Sequence, residues 1–239
     1  MIAVTFALPA ESSNFLKLLR NPIRGRIGHA EFTCGSIGGK QVCVLHTGVG
    51  EKATRPRIAD FLEHQKTALL ISAGFAGALA DELHVGDLVL ADNFTAPHLL
   101  APTRDTLGTQ LHVGTLATSG AVIDSVSERV ELRERSGAIA VDMETEWIAN
   151  ACRTANVPMI SLRVISDTPA APMPAPADVL FNVARQKTDV GTLSSYVARH
   201  PGALWRLASF GKRITLARHV LAGAIVRLIE RDSADTPVA

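Results

Sequence analysis

The sequence predicts an α/β fold built around a mostly parallel sheet, and three features of the 239-residue chain predict it. Short runs of β-forming residues alternate with helix-patterned segments, and glycine-containing turns such as Gly48-Val49-Gly50 join them. Thr67–Ser72 is a short apolar run of the kind that helices cover on both faces of a parallel sheet. Acidic residues also stand where such runs end, at Glu11, Glu144 and Asp167. Side chains at the carboxyl ends of strands in an open α/β sheet face the crevice where ligands bind, so Glu144 and Asp167 are the first candidates for chemistry.

Composition narrows the classes. A hydrophobic content of 47% supports a sizeable core. Lysine and arginine (24) nearly balance aspartate and glutamate (23), which gives no reason to expect nucleic acid as the main partner. Cys34, Cys43 and Cys152 have no metal-ligand spacing and sit in apolar runs. They are expected as buried free thiols in a reducing compartment, the cytoplasm, and no metal site is expected. Met1–Ala7 lacks a basic leader and a cleavage site, so it is expected as a first strand and not a secretion signal. No charge-free run approaches the length of a membrane span.

In order along the chain, residues 2–8 read as a strand, and Pro9 suits the first turn of a helix over 10–19. Residues 24–46 read as a hairpin turning at Gly38-Gly39, with 40–46 as its second strand. A glycine turn then leads into a helix over 52–64. After the 67–72 strand comes Ala73-Gly74-Phe75-Ala76-Gly77-Ala78, where glycines let the backbone approach a ligand. A strand over 86–92 precedes a long loop, 93–111, of a length that usually serves function or an interface. Residues 112–118 read as a strand and 125–136 as a charged helix. Ala140–Asp142 is a short strand that breaks into a helix whose stripe is Met143, Trp147, Ala151, Ile148, Cys152 and Ala155.

Past Asp167 the composition changes. A proline-rich loop over 168–176 leads into helices punctuated by His200-Pro201-Gly202. These boundaries divide the chain into an α/β domain over 1–190, a helical extension over 191–231 and a frayed tail over 232–239. The last helix carries Trp205, Phe210, Ile214, Leu221 and Ile225 among arginines and a lysine. Such a basic amphipathic segment either packs on the domain or at a dimer contact, or meets an anionic lipid surface peripheral to the inner membrane.

Six motifs in order carry a resemblance: Ala7-Leu8-Pro9-Ala10-Glu11, Thr47-Gly48-Val49-Gly50, Ala73–Leu79, Val85-Gly86-Asp87, Ala140-Val141-Asp142-Met143-Glu144 and Arg163-Val164-Ile165-Ser166-Asp167. Together they resemble the nucleoside phosphorylase and nucleosidase superfamily, especially the methylthioadenosine/S-adenosylhomocysteine nucleosidases. The carboxy-terminal part resembles hopanoid-associated members, which are implied to remove adenine from an adenosylated triterpenoid such as adenosylhopane. The resemblance implies a single-domain, three-layer α/β fold with a helical extension, a homodimer or other homo-oligomer, and no cofactor. Phosphate would be a co-substrate only in a phosphorylase.

It also implies roles. Cleaving a purine N-ribosidic bond leaves an oxocarbenium-like sugar and a purine anion. Asp167, steadied by Ser166 and kept protonated in a shielded site, would serve N7 of the base. Glu144 would grip the ribose hydroxyls as an ionised acceptor, and Met143 would pack under the sugar. Glu11 would orient and deprotonate the attacking water. Leu8, Val49, Gly74, Phe75, Ile123 and Asp142 complete the substrate-facing set. Each acid alone could equally be a helix-dipole partner or a turn residue.

Hydrolysis is preferred to phosphorolysis. Ser72 and Phe75 stand where phosphorylases flank the glycine with an arginine and a serine or threonine, and Glu11 would repel phosphate. Lys52, Arg55 and Arg57 form either an anion nest or a solvated helix face. A non-catalytic nucleoside-binding protein is the competing class, although a binder has no need of a proton donor.

Overall fold

The computed structural model describes residues 1–180, 190–200 and 202–231. The chain enters on β1 (Ile2–Phe6) and α1 (Pro9–Leu16), then forms a meander of β2 (Arg20–Ile27), β3 (Ala30–Ile37) and β4 (Lys40–His46). Next come α2 (Glu51–His64), β5 (Leu69–Ala78), β6 (Leu88–Ala91), α3 (Pro97–Leu107), β7 (Leu111–Gly114), β8 (Leu116–Thr118) and α4 (Val126–Ser136). β9 (Ala140–Asp142), α5 (Thr145–Thr154) and β10 (Met159–Asp167) complete the sheet, and α6 (Ala177–Leu180), α7 (Val190–Arg199) and α8 (Ala203–Arg231) follow.

The ten strands form one mixed sheet in the order β2-β3-β4-β1-β5-β10-β6-β7, and β9 joins β5 to β8. Its centre, β4-β1-β5-β10, is parallel. The β2-β3-β4 meander and the β10–β6 and β5–β9 pairings are antiparallel.

Strand alternation sets the layers. Ile2, Val4 and Phe6 of β1 face a core shared with Phe15 of α1, Leu107 of α3 and Ala217, Leu221, Ile225 and Leu228 of α8. Ala3, from the opposite face, packs with Ile58 and Phe61 of α2 and Ile148 and Cys152 of α5. Helices thus cover both faces of β1, and every residue of that strand is buried. The carboxy-terminal two thirds of α8 is rooted in the main core through a stripe from Ile214 to Ile229. Each fully buried Leu or Ile there contributes about 1.5–3 kcal/mol. At its amino end Leu204 and Trp205 stay exposed, Trp205 at 84%. Among the described residues no helix is long and apolar enough to cross a membrane.

Several sequence expectations are corrected. The 93–111 segment is not a loop: Pro97 takes the first helical position, where its fixed φ suits the turn, and α3 buries Thr103 and Leu107 before a short 3-10 turn over Gly108–Gln110. The 112–118 strand is two strands, because β7 pairs with β6 while β8 pairs with β9. The 67–72 strand continues to Ala78, so Gly74 and Gly77 lie within it. A Cβ at Gly74 would stand 3.3 Å from Glu11 Oε1, and one at Gly77 would stand 3.2 Å from Asp167 Oδ2, so these glycines leave room for acids crossing the strand. The meander gains a third strand, β2, ahead of the predicted hairpin. Cys34 and Cys43 are not free thiols: they face each other across β3 and β4 and form a disulfide, and Cys152 is the free, buried cysteine. The 232–239 tail lies outside the described residues.

Candidate functional site

The carboxyl ends of β1, β5, β9 and β10 and the turn before α2 open on one cavity of about 860 Å³. Pro9 starts α1 just after β1, which places Glu11 in the first turn with its side chain folded back. The Leu8 N–H donates to its Oε2 at 2.8 Å and the Phe75 N–H to its Oε1 at 3.0 Å. Burial pushes this carboxyl above the usual range, while the two amides and Arg163 oppose that shift.

Glu144 occupies the bend between β9 and α5, and the Gly50 N–H donates to its Oε1 at 2.8 Å. Gly50 has φ +79°, a backbone that glycine adopts without strain, and this aims its amide at the acid. Burial first, then the neighbouring charge of Asp142, pushes Glu144 up to about 8. This shift opposes the ionised form expected of Glu144. Met143 lies in the same bend, ahead of α5 and not within it, and lines the cavity.

Asp167 ends β10. Ser166 Oγ donates to its Oδ1 at 2.6 Å, and its Oδ2 forms an ion pair with Arg129 Nη2. Arg129 is 2% exposed, sits in the second turn of α4, and donates through Nη1 to the Ala78 carbonyl at 2.8 Å. A capping box between Ser125 and Glu128 fixes the start of that helix. Ser166 was the one group predicted to hold Asp167; the structure adds a buried guanidinium.

Ten of the eleven predicted site residues line this cavity, so the sequence motifs do converge: Leu8, Glu11, Val49, Phe75, Ile123, Asp142, Met143, Glu144, Ser166 and Asp167. Gly74 lies one layer behind, against Glu11. Asp142 reaches the wall, but its carboxylate already accepts from Arg163, Thr145 and Thr118. The basic cluster after Gly50 is elsewhere. Arg55 pairs with Glu51 and lies over Trp147, and Arg57 donates to the Thr47 carbonyl. His98 is exposed on α3 and does not line the cavity.

Sequence reasoning missed the other end of the cavity. Met173 and Leu180 line it from the segment after β10, and Phe210, Ile214 and Arg218 line it from α8. The spacing i, i+4, i+8 puts those three on one helix face, the signal that could have found them. Among the described residues no group of three or more His, Cys, Asp or Glu could hold a metal ion. Three carboxyl groups around one largely apolar cavity can accept, donate or withhold protons at separate points of a bound molecule.

The fold is similar to that of several solved structures. The S-adenosylhomocysteine nucleosidase from Streptococcus pyogenes, in complex with 5-methylthiotubericidin, superposes with a TM-score of 0.73 at 21% identity over 96% of each chain. A putative 5′-methylthioadenosine/S-adenosylhomocysteine nucleosidase from Borrelia burgdorferi B31, bound to adenine, gives 0.74 at 19% identity, covering 97% of this chain and 100% of that one. A futalosine hydrolase mutant of Helicobacter pylori gives 0.62 at 21% identity over 69% and 88%. The family model described as the phosphorylase superfamily matches residues 1–105 and 96–199. With most of its length matched in this way, the chain belongs to the phosphorylase superfamily.

Proposed function

We propose that the protein hydrolyses the N-ribosidic bond of a 5′-modified adenosine and releases adenine. One observation carries the choice of water over phosphate. The amides of Leu8 and Phe75, which an anion would seek, already donate to the Glu11 carboxyl. Glu11 is therefore a base positioned for water in a place where phosphate would meet a carboxylate.

In this reading the water oxygen attacks C1′ as the C1′–N9 bond breaks and its electron pair moves into the purine. Asp167 turns from Arg129 towards the base and relays a proton from solvent to N7, and Glu11 takes the proton of the water. A base whose affinity for protons is raised by burial suits that task near neutral pH. Glu144 holds the ribose 2′ and 3′ hydroxyls, and its ionised form sets negative charge beside the developing cation. Leu8, Val49, Met173, Leu180, Phe210 and Ile214 give the 5′ substituent an apolar surround, which suits a methylthioadenosine-like thioether or an adenosylated lipid such as adenosylhopane.

The test is adenine release from 5′-substituted adenosines in phosphate-free buffer, followed by addition of phosphate. Release without phosphate is expected. Release only with phosphate makes the protein a phosphorylase, and tight binding without release makes it a nucleoside-binding protein. A peripheral contact with anionic lipid is part of the same reading, because Leu204 and Trp205 are exposed beside Arg206 at the start of α8. Pelleting with anionic liposomes should recover the wild type and lose Trp205→Ser; equal recovery of both removes this contact.

A further inference from the structure

Arg218 differs from every other arginine near the cavity. Arg129 and Arg163 are engaged by aspartates and carbonyls, and Arg213, five residues earlier on α8, donates to the carbonyls of Ala171 and Pro172. Arg218 lines the cavity and is half-buried; its Nε is buried without a hydrogen-bond partner, as is that of Arg213, but among the described residues the Nη groups of Arg218 have no hydrogen bond either, whereas those of Arg213 do. Among the described residues no carboxylate lies within ion-pair distance of it, and α8 carries no acid before Glu230. A buried donor left without a partner is costly, and more so when it is charged.

The surroundings define what it would receive. Ile214 and Phe210 stand one and two turns before Arg218 on the same helix face, and Met173 and Leu180 line the same cavity. A ligand that satisfies all of them has an apolar body and an anionic end. Arginine pairs with carboxylates through two parallel N–H donors.

We propose that Arg218 receives a carboxylate at the far end of the nucleoside's 5′ substituent. The acid-lined end of the cavity would then hold the ribose and base, and α8 would select the arm by its charge. This inference rests on the nucleoside reading above and goes beyond it, because a methylthio or plain hydrocarbon arm would leave Arg218 unused.

The experiment uses two 5′-thioether adenosines of equal length, one ending in a carboxylate and the other in the isosteric carboxamide. Wild-type enzyme should favour the carboxylate by about ten- to a hundredfold in kcat/KM, mainly through KM, the scale of one charged hydrogen-bonded pair. In Arg218→Gln that preference should shrink to about twofold or less, and Arg218→Lys should keep part of it. An equal loss on both substrates in Arg218→Gln assigns the residue to packing and overturns the proposal. Adenine release accelerated by inorganic phosphate, and lost in Arg218→Gln, assigns it to a phosphate site and also overturns it. Calorimetry with the same two compounds separates this inference from the hydrolase reading. Tighter binding of the carboxylate without cleavage keeps the anion site and removes the hydrolase; cleavage without any preference does the reverse.

Discussion

Two buried arginine–aspartate pairs border the cavity, and they differ in how completely their hydrogen-bonding capacity is filled. Asp142 accepts from Arg163 Nε at 3.0 Å and Nη2 at 2.9 Å, from the Thr145 amide at 3.1 Å and hydroxyl at 2.5 Å, and from Thr118 at 2.9 Å. Arg163 also donates to the Ser72 carbonyl and hydroxyl, which ties β5, β9, β10 and the start of α5 into one knot. Among the described residues Asp167 has Arg129 and Ser166 alone, and it keeps acceptor capacity on the cavity side. An acid whose lone pairs are all taken belongs to the scaffold. One with capacity left over can meet a substrate.

The largest expected effect tests the scaffold half of that contrast. Arg163→Met leaves Asp142 buried without its counter-charge and should cost about 3–5 kcal/mol of stability in a urea titration. A loss below about 1 kcal/mol would mean that the knot is not structural, and the contrast between the two pairs would fail.

Next comes the functional half. Asp167→Asn should lower turnover at least about a hundredfold, the usual scale of an acid's contribution. Its stability should fall by less than that of Arg163→Met, because the Asn oxygen can still accept from Arg129 while its amide donates to Ser166 Oγ, whereas methionine makes none of the hydrogen bonds of Arg163. Unchanged turnover, or a collapse of stability as large as that of Arg163→Met, would place both pairs in the same class.

Glu144 sharpens the comparison through pH. Burial pushes its carboxyl up to about 8 from an ordinary value of 4.5, so the folded state binds the proton more tightly than the unfolded chain does. Its contribution to stability is full below pH 4.5 and is lost progressively as pH rises towards 8. Glu144→Gln escapes that loss. It should match the wild type near pH 4.5 and exceed it at pH 8.5, while base release falls. Melting curves at the two pH values check the sign, and a variant that is less stable at pH 8.5 would refute the burial argument.

What the sequence disclosed follows the same division. Glu11, Glu144 and Asp167 were legible because strand ends and helix starts are written in local patterns of β-formers, Pro9 and glycine turns. Arg129 was not, because its role depends on where α4 docks, and in sequence it is one charge among many on a polar helix. Phe210 and Ile214 read as part of a basic amphipathic helix, because a stripe at helical spacing does not say whether it faces the domain, a second subunit, a lipid surface or a cavity. Two prolines hid α3, although Pro97 at a first helical position supports a helix. The disulfide was within reach: Cys34 and Cys43 stand equally far from the Gly38-Gly39 turn, so the hairpin register pairs them.

The smallest effect probes how Asp167 is held. Ser166 Oγ lies 2.6 Å from Asp167 Oδ1 and 3.3 Å from the Ala76 carbonyl, so its hydroxyl can steady the acid from the strand itself. Ser166→Ala removes one hydrogen bond of about 1–1.5 kcal/mol and leaves Arg129 as the remaining anchor, which should lower kcat about five- to tenfold. If Ser166 acts only through Asp167, adding Ser166→Ala to Asp167→Asn should cost almost nothing further, since residues in one network are not additive. A full extra five- to tenfold loss in the double variant would show that Ser166 touches the substrate on its own account. The open acid of the second pair would then have one positioning partner, Arg129, instead of two.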